Sequence, residues 1–207
     1  MHAQPARPPV TRSRENTRAR LLDAAHEVFG EVGLDAASVE AVCERAGFTR
    51  GAFYSNFESK DDLFLALVER SSSEKLDLVA DRVRGLDGSA APDPATLVRE
   101  IVGVSLAGLE PRLVCELRAQ ALRDARMAAA YLRLQNGIVD RVRAIVSDVG
   151  DVYGLSFRAS VDQVAQLMVD LAETTCERAA IEGLVEPRVT ALLHERLELL
   201  ATALVEA

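Results

Sequence analysis

The stretch SVEAVCERAGFTRGAFYSNF, residues 38–57, decides the reading of the chain. Val39, Val42, Cys43 and Ala46 recur at i, i+3, i+4 and i+7, which makes one apolar stripe on a short helix. Ser38 precedes that stripe, where its hydroxyl can accept from the first free backbone N–H groups. Gly47 ends the helix, since glycine enters the left-handed region without steric cost. Phe48 follows as an apolar plug, and Thr49 can cap a second helix. In that helix Phe53 and Phe57 lie four apart and face inward. Thr49, Arg50, Ala52, Tyr54, Ser55 and Asn56 are left facing outward. The outer face is short and polar and carries one guanidinium, the composition a major-groove reader needs.

The flanks extend the pattern. Before it, a helix is predicted from about Arg14 to Val32, with Leu21, Ala25, Val28, Phe29 and Val32 as its buried stripe and Gly33 closing it. Arg14 and Arg18 stand one turn apart on it, able to reach phosphate. After it, Ser59-Lys60-Asp61-Asp62 opens a fourth helix as a capping box. Lys60 opposes the macrodipole there, and a phosphate beside it would remove the conflict. This fourth helix runs to about Arg84, with Leu63, Phe64, Leu67 and Val68 facing the head and Leu78, Val79 and Val83 further along. Residues 85–94, GLDGSAAPDP, form a break.

The run TRARLLDAAHEVFGEVGLDAASVEAVCERAG (17–47) followed by FTRGAFYSNFESKDDLFLALVE (48–69) resembles the DNA-binding half of the TetR family of bacterial repressors. The specific signs are Ala25-x-x-x-Phe29-x-x-x-Gly33, the Ala46-Gly47 turn, Gly51-x-Phe53-Tyr54-x-x-Phe57 and Ser59-Lys60-x-x-Leu63-Phe64. The resemblance covers about the first third of the chain. It implies DNA contact through Arg14, Arg18, Ser38, Thr49, Arg50, Gly51, Ala52, Tyr54, Asn56 and Lys60. Arg50 is expected to address a guanine through its two-pronged fork, with Thr49 and Ala52 sensing neighbouring base edges or methyls. In the family, positions matching Tyr54, Asn56 and Lys60 usually hold phosphate. Many members have histidine where this chain has Asn56, so that contact loses any imidazolium charge.

The resemblance also implies an all-α fold of about nine helices. A three-helix helix-turn-helix domain comes first, then a helical ligand-binding and dimerisation domain. The expected division is a flexible basic arm at 1–13, the DNA-binding domain at 14–60, a linker helix at 61–84 and the body at 85–207. Charge fits that layout. The chain has a net charge of -8. Residues 1–60 balance eight basic against eight acidic groups, while residues 1–22 hold five arginines and only Glu15. The acidic excess therefore belongs to the body, and the DNA-facing part is neutral with a basic arm. Only Lys60 and Lys75 are lysines; the other basic residues are all arginine.

Cys43, Cys115 and Cys176 are widely spaced with no C-x-x-C, so neither a metal site nor a redox pair is suggested. His2, His26 and His194 are isolated. No metal and no cofactor are expected. The N-terminus lacks the apolar core of a signal peptide, and no apolar run approaches the roughly 20 residues of a membrane span. A cytoplasmic protein without membrane association is expected.

In the body, helical stretches are predicted at 94–108, 111–123, 125–149, 160–182 and 187–206, with Pro94, Pro111 and Pro187 each where a helix begins. The last two helices carry long apolar stripes. In the family such a pair packs against its twin as a four-helix bundle, so Val161, Val164, Met168, Thr175, Leu193, Leu197, Leu200 and Leu204 are the expected homodimer interface. Two heads would then read two half-sites of a palindromic double-stranded operator. An effector pocket is expected between the linker helix and the following helices, with Leu106, Leu109, Cys115, Leu134, Gly137 and Met168 as lining. Gly137 in mid-helix suggests close approach of a neighbour or ligand. Glu173 and Arg178 are either polar pocket groups or solvent-facing. Only Tyr131, Tyr153 and Phe157 are aromatic in the body, which favours an aliphatic or amphipathic small molecule over a flat cation. The function expected is a ligand-released dimeric repressor. A thiol-based redox regulator using Cys115 and Cys176 is the alternative, and a helical enzyme the less favoured third reading.

Overall fold

The computed structural model describes residues 10–85, 93, 96–98 and 111–206. Among them the helices are α1 (Val10–Ala36), α2 (Val39–Ala46), α3 (Arg50–Tyr54), α4 (Lys60–Arg84), α5 (Pro111–Ala121), α6 (Ala125–Tyr153), α7 (Val161–Ile181) and α8 (Arg188–Leu204). Residues 96–98 add a further helical stretch. No strand is present among the described residues; one isolated antiparallel bridge joins Phe157 to Val205. The all-α architecture expected from the sequence is the one observed. Residues 1–9 of the expected arm, and most of the predicted 94–108 helix, lie outside the described residues.

The chain divides into two compact units, Met1–Val68 and Glu69–Ala207, and the division falls inside α4. The head therefore keeps the first turns of α4, past the expected boundary at residue 60. The reason is burial: Leu63, Phe64 and Leu67 are almost inaccessible and complete the head core with Leu21, Phe29, Leu34, Val42, Phe53 and Phe57. Phe29 and Phe64 meet edge to face, with ring centroids 5.6 Å apart and planes at 88°. That geometry sets the positive ring edge against the negative face.

Local chemistry fixes the elements. Helix α1 begins at Val10, four residues ahead of expectation, and is broken at Gly33, whose φ of 81° and ψ of 166° are non-helical. The chain then makes a last turn to Ala36 and buries Leu34 and Ala37. Val32, the last residue before this break, is 53% exposed and does not belong to the buried stripe. Leu78 on α4 is likewise on the outside, while Val79 and Val83 are buried. Ser38 caps α2 by accepting from the Ala41 N–H, and Gly47 closes it at φ 70°. The Phe48 N–H reaches back to the Cys43 carbonyl at 2.9 Å, completing the turn. Only half of the predicted capping box of α4 forms as expected. Ser59 Oγ accepts from the Asp62 N–H, but the Asp62 carboxylate takes the Glu58 N–H instead of that of Ser59.

In the second unit, α6 runs four residues past its expected end and stops at Gly154, which is left-handed at φ 64°. A full capping box between Ser160 and Gln163 starts α7. Val79, Val83, Leu97, Val98, Val149, Leu193 and Leu197 pack into one buried cluster. Thr175 is fully buried but satisfied: its hydroxyl donates to the Leu171 carbonyl at 2.6 Å and accepts from Arg196 at 3.0 Å.

Phe29→Ala removes one half of the Phe29–Phe64 pair from a fully packed site. It is expected to lower unfolding stability by about 3–5 kcal/mol, read as a shift in the denaturant midpoint. A loss below about 1 kcal/mol would show that the pair does not organise the head.

Candidate nucleic-acid interface and cavity

Three helices of the head end at carbonyls that their own backbone cannot satisfy. Each end is met by a cation from elsewhere in the unit. At the end of α1 the Lys60 ammonium donates to the carbonyls of Leu34 at 2.6 Å, Ala37 at 3.0 Å and Asp35 at 3.4 Å. At the end of α2, Arg20 donates to the Ala46 carbonyl at 2.8 Å and lies 4.7 Å over the Phe48 ring. At the end of α3, Arg14 donates to the Ser55 carbonyl at 2.9 Å and Arg18 to the Asn56 carbonyl at 3.0 Å. The Arg18 guanidinium also stacks 4.3 Å over the Phe57 ring. A positive group at a helix C-terminus is favoured by the aligned peptide dipoles.

This placement changes the reading of Lys60. Its conflict with the α4 dipole is offset inside the chain by the carbonyls of the α1 end, with no need of a phosphate. Asn56 is also turned inward, its Nδ2 donating to the Ala52 carbonyl at 2.8 Å. Ser38 serves as a cap of α2. Thr49 caps α3, its Oγ1 accepting from the Ala52 N–H at 3.3 Å.

What α3 presents outward is Thr49, Arg50, Gly51 and Tyr54, all exposed, with Ala52 half-buried. Phe53 and Phe57 anchor the opposite side in the core. Arg50 is 61% exposed and pairs with Glu40 of α2 at 2.7 Å. Its guanidinium carbon lies 5.8 Å from the Tyr54 ring centroid. Hydrogen bonding to Tyr54, then the charge of Glu40, push the Arg50 pKa further up. On the far side of α2, Arg45 bridges Glu27 and Glu31 of α1, which ties the scaffold helices together.

The second unit holds two cavities. The larger, about 220 Å³, is bounded by Ser72, Lys75, Leu76 and Val79 of α4, by Ile138, Val142, Ile145 and Val146 of α6, by Met168, Val169, Ala172 and Glu173 of α7, and by Leu197 of α8. The smaller, about 90 Å³, is wholly apolar in its side chains and reaches Leu155, Phe157, Leu200 and Leu204. Met168 lines both. Leu134 lines neither. Cys115 is exposed and so is Gly137, beside which a Cβ would meet nothing within 4 Å. The glycine that permits close approach is Gly150, where a Cβ would stand 3.3 Å from the Phe157 ring. Leu106 and Leu109 lie outside the described residues. Lys75 and Ser72 are polar lining residues that the periodicity of α4 did not single out. Lys75 could have been noticed as a lone lysine beside Leu76 and Val79. Glu173 lines the larger cavity and is held by Arg118 and by the Gln135 amide at 2.8 Å, whereas Arg178 is exposed and bridges Glu182 at 2.8 Å.

The expected interface stripe divides in two. Val164, Thr175, Leu193 and Leu197 are buried in the chain's own core, so they are not available to a second copy. Val161, Met168, Leu200 and Leu204 are half-buried. Leu167, Ile181 and Leu199 are the large apolar side chains of α7 and α8 that remain exposed.

A helix-turn-helix head with a neutral-to-basic reading face, joined in one chain to a helical body with an internal cavity, defines a DNA-binding transcriptional regulator. The resemblance to the TetR family is borne out over the head, where residues 21–67 match the model for bacterial regulatory proteins, tetR family. Among curated relatives, the HTH-type transcriptional regulator UidR of Escherichia coli (strain K12) is 26% identical over 156 residues, covering 75% of this chain and 77% of that one. The HTH-type transcriptional repressor BepR of Brucella suis biovar 1 (strain 1330) is 27% identical over 165 residues, covering 79% and 73%. A crystal structure of a putative TetR-family transcriptional regulator from Mesorhizobium loti MAFF303099 shares the fold, with a TM-score of 0.71 at 18% identity over 92% of this chain and 95% of that one. Among the described residues, no helix is long and apolar enough to cross a membrane.

Two outcomes are expected from this geometry. Glu40→Gln removes a carboxylate beside the Arg50 guanidinium while leaving an acceptor. Exposed ion pairs of this kind are worth about 0.2–1 kcal/mol. The variant should bind duplex DNA a few-fold more tightly at low salt, with the gain fading as salt rises. Equal affinity at every salt concentration would place Glu40 away from the interface. The thiols should differ as well. Burial pushes the Cys43 thiol up, and burial pushes the Cys176 thiol up against a partly opposing pull from Lys75. Only the thiolate is reactive, so alkylation at neutral pH should mark Cys115 first and the other two slowly. Fast labelling of Cys176 would revive the two-cysteine switch.

Proposed function

We propose that this regulator is a cytoplasmic homodimeric repressor that holds palindromic operator DNA and is released by a small-molecule effector bound in the body. The observation that carries this reading is the outward face of α3. It is capped at both ends, anchored by Phe53 and Phe57, and carries Arg50 exposed at its first turn. Arg50 would address guanine O6 and N7, Thr49 and Ala52 adjoining base edges, and Tyr54 phosphate, with the backbone at Gly51 close to the duplex. Arg14, Arg18, Asn56 and Lys60 would act mainly by holding the reading helix in place, and Arg14 and Arg18 in addition by their charge. Giving up Glu40 costs Arg50 little, because both side chains are well exposed.

The dimer would form through the exposed sides of α7 and α8 around Leu167, Ile181 and Leu199, together with Val161, Leu200 and Leu204 at their margins. A two-fold pair of heads then matches a two-fold operator. Release needs an effector that binds the DNA-free arrangement better than the DNA-bound one, by about 1–3 kcal/mol for effects of the usual size. Helix α4 supports that coupling, since it supplies part of the head core and one wall of the larger cavity.

The test is binding of the purified full chain to a labelled duplex from upstream of its own gene, beside a scrambled duplex, across a salt series. Preference for the upstream duplex with a steep loss at higher salt is expected, since counterion release sets the slope. Arg50→Ala should abolish the preference while the protein keeps its helical circular dichroism and melting temperature. A folded Arg50→Ala protein that discriminates as well as the parent would sink this assignment.

A further inference from the structure

Two charged side chains from different helices meet on the outer face of the head. Glu40 lies in the first turn of α2, and Arg50 opens α3. Glu40 Oε1 is 2.7 Å from an Arg50 guanidinium nitrogen, and the two side chains are 57% and 61% exposed. An ion pair so exposed contributes little to stability and is readily given up. A carboxylate in the first turn of α2 also suits the aligned peptide dipoles. That role concerns the helix alone and carries no base preference.

The pattern the pair presents is more informative than its strength. A guanidinium only donates, and an ionised carboxylate only accepts. Side by side they make a row of donor, donor, acceptor. The major-groove edge of a G·C pair, read from the guanine, offers acceptor N7, acceptor O6 and then the cytosine N4 donor. The two rows are complementary. The guanidinium has five N–H groups and the carboxylate two oxygens, so both can meet the base pair and remain neighbours. Read in the same direction, A·T sets thymine O4 before the carboxylate and C·G sets guanine O6 there, acceptor against acceptor. T·A sets the adenine N6 donor before it, but a methyl group where the outer arm of the fork needs N7. A carboxylate facing a duplex is repelled by phosphate. In the major groove only the amino groups of cytosine and adenine can offset that repulsion by donating to it.

We infer that Glu40 is a specificity-determining residue, and that Arg50 and Glu40 together read one G·C base pair across both strands. Arg50 takes O6 and N7 of the guanine, and Glu40 accepts from the N4 amino group of the cytosine paired with it. This rests on the proposal that Arg50 addresses guanine. Removing Glu40 has two separable effects. Loss of a negative charge strengthens binding to every sequence alike, and that gain cancels in a ratio of two duplexes. Loss of the cytosine contact changes the ratio at one base pair only.

The test starts with selection of duplexes from a randomised library by the purified full chain. The selected duplex is then varied one base pair at a time and titrated with the parent, Arg50→Ala and Glu40→Ala proteins, each checked by circular dichroism and melting. The base pair under Arg50 is the one where Arg50→Ala loses its guanine preference. There the parent should prefer G·C to A·T and to C·G, and Glu40→Ala should lower both ratios by about ten-fold. The ratio of G·C to T·A should not change, since both present a donor to the carboxylate. N4-methylcytosine in that pair keeps the base pairing and replaces the groove-facing hydrogen with a methyl group. It should weaken the parent by about ten-fold and the Glu40→Ala protein by much less. A Glu40→Ala protein with the parent's ratios, or an equal N4-methyl penalty in both proteins, would overturn the inference and leave the Arg50 assignment standing. A parent that selects no sequence, or an Arg50→Ala protein that selects the same one, removes both.

Discussion

The head depends on the capping of helix C-termini by cations from distant positions. Helix α3 has five residues, too few to be stable on its own, because nucleating a helix fixes several dihedrals for each early hydrogen bond. Its position comes from outside it. Phe53 and Phe57 fix one side in the core, Thr49 closes the start, and Arg14 and Arg18 take the carbonyls at its end. The same device recurs at the ends of α1 and α2 through Lys60 and Arg20. Each cation spans 23 to 41 residues of chain, so each cap is also a tertiary tether. A reading surface mounted in this way is placed before it meets any ligand, which lowers the ordering cost of binding.

This arrangement explains how a chain of net charge -8 can present a DNA-reading face. Coulombic attraction to a duplex fades beyond about 8–10 Å at ordinary salt, so the groups at the face count for more than the net charge of the chain. Near α3 the cations are ordered by backbone carbonyls, which do not cancel a formal charge. Glu40 is the exception, a full negative charge 2.7 Å from the Arg50 fork. Both side chains are well exposed, so the pair is weak and readily given up.

What could be read from the sequence was what is decided within about four residues. Ser38, Gly47, Thr49, Phe53 and Phe57 all act on partners one helical turn away, and the residues alone placed them. The carbonyl partners of Lys60 were not legible, because they lie 23 to 26 residues back, at a helix end that no local pattern reveals. Val32 is in phase with Leu21, Ala25 and Val28 but exposed, because periodicity does not say where along a helix the core stops covering it. Gly137 and Gly150 look alike in sequence, and only the Phe157 ring above Gly150 separates them. The apolar stripes of α7 and α8 were visible as stripes. Whether Leu193 or Leu199 meets the chain's own core is a question about neighbours, and periodicity is silent on it. The cavity was the least legible feature, since it is defined by where side chains fail to fill space.

That failure of packing has a structural logic. Val79 and Leu197 belong to the buried cluster of the body and also line the larger cavity. The same face of α4 is therefore packed against side chains along one part and against space along the next. Close-packed interiors transmit small displacements because their contacts are short-ranged and mutually dependent. A ligand filling the space would complete the contacts of Leu76 and Val79, and the preferred position of α4 would then differ with occupancy. The head begins on that same helix, where Leu63, Phe64 and Leu67 are locked in its core. Strong tethering of the reading helix and loose packing around Met168 are thus complementary: the first keeps the reading surface rigid, and the second leaves one place in the body where a small molecule can act.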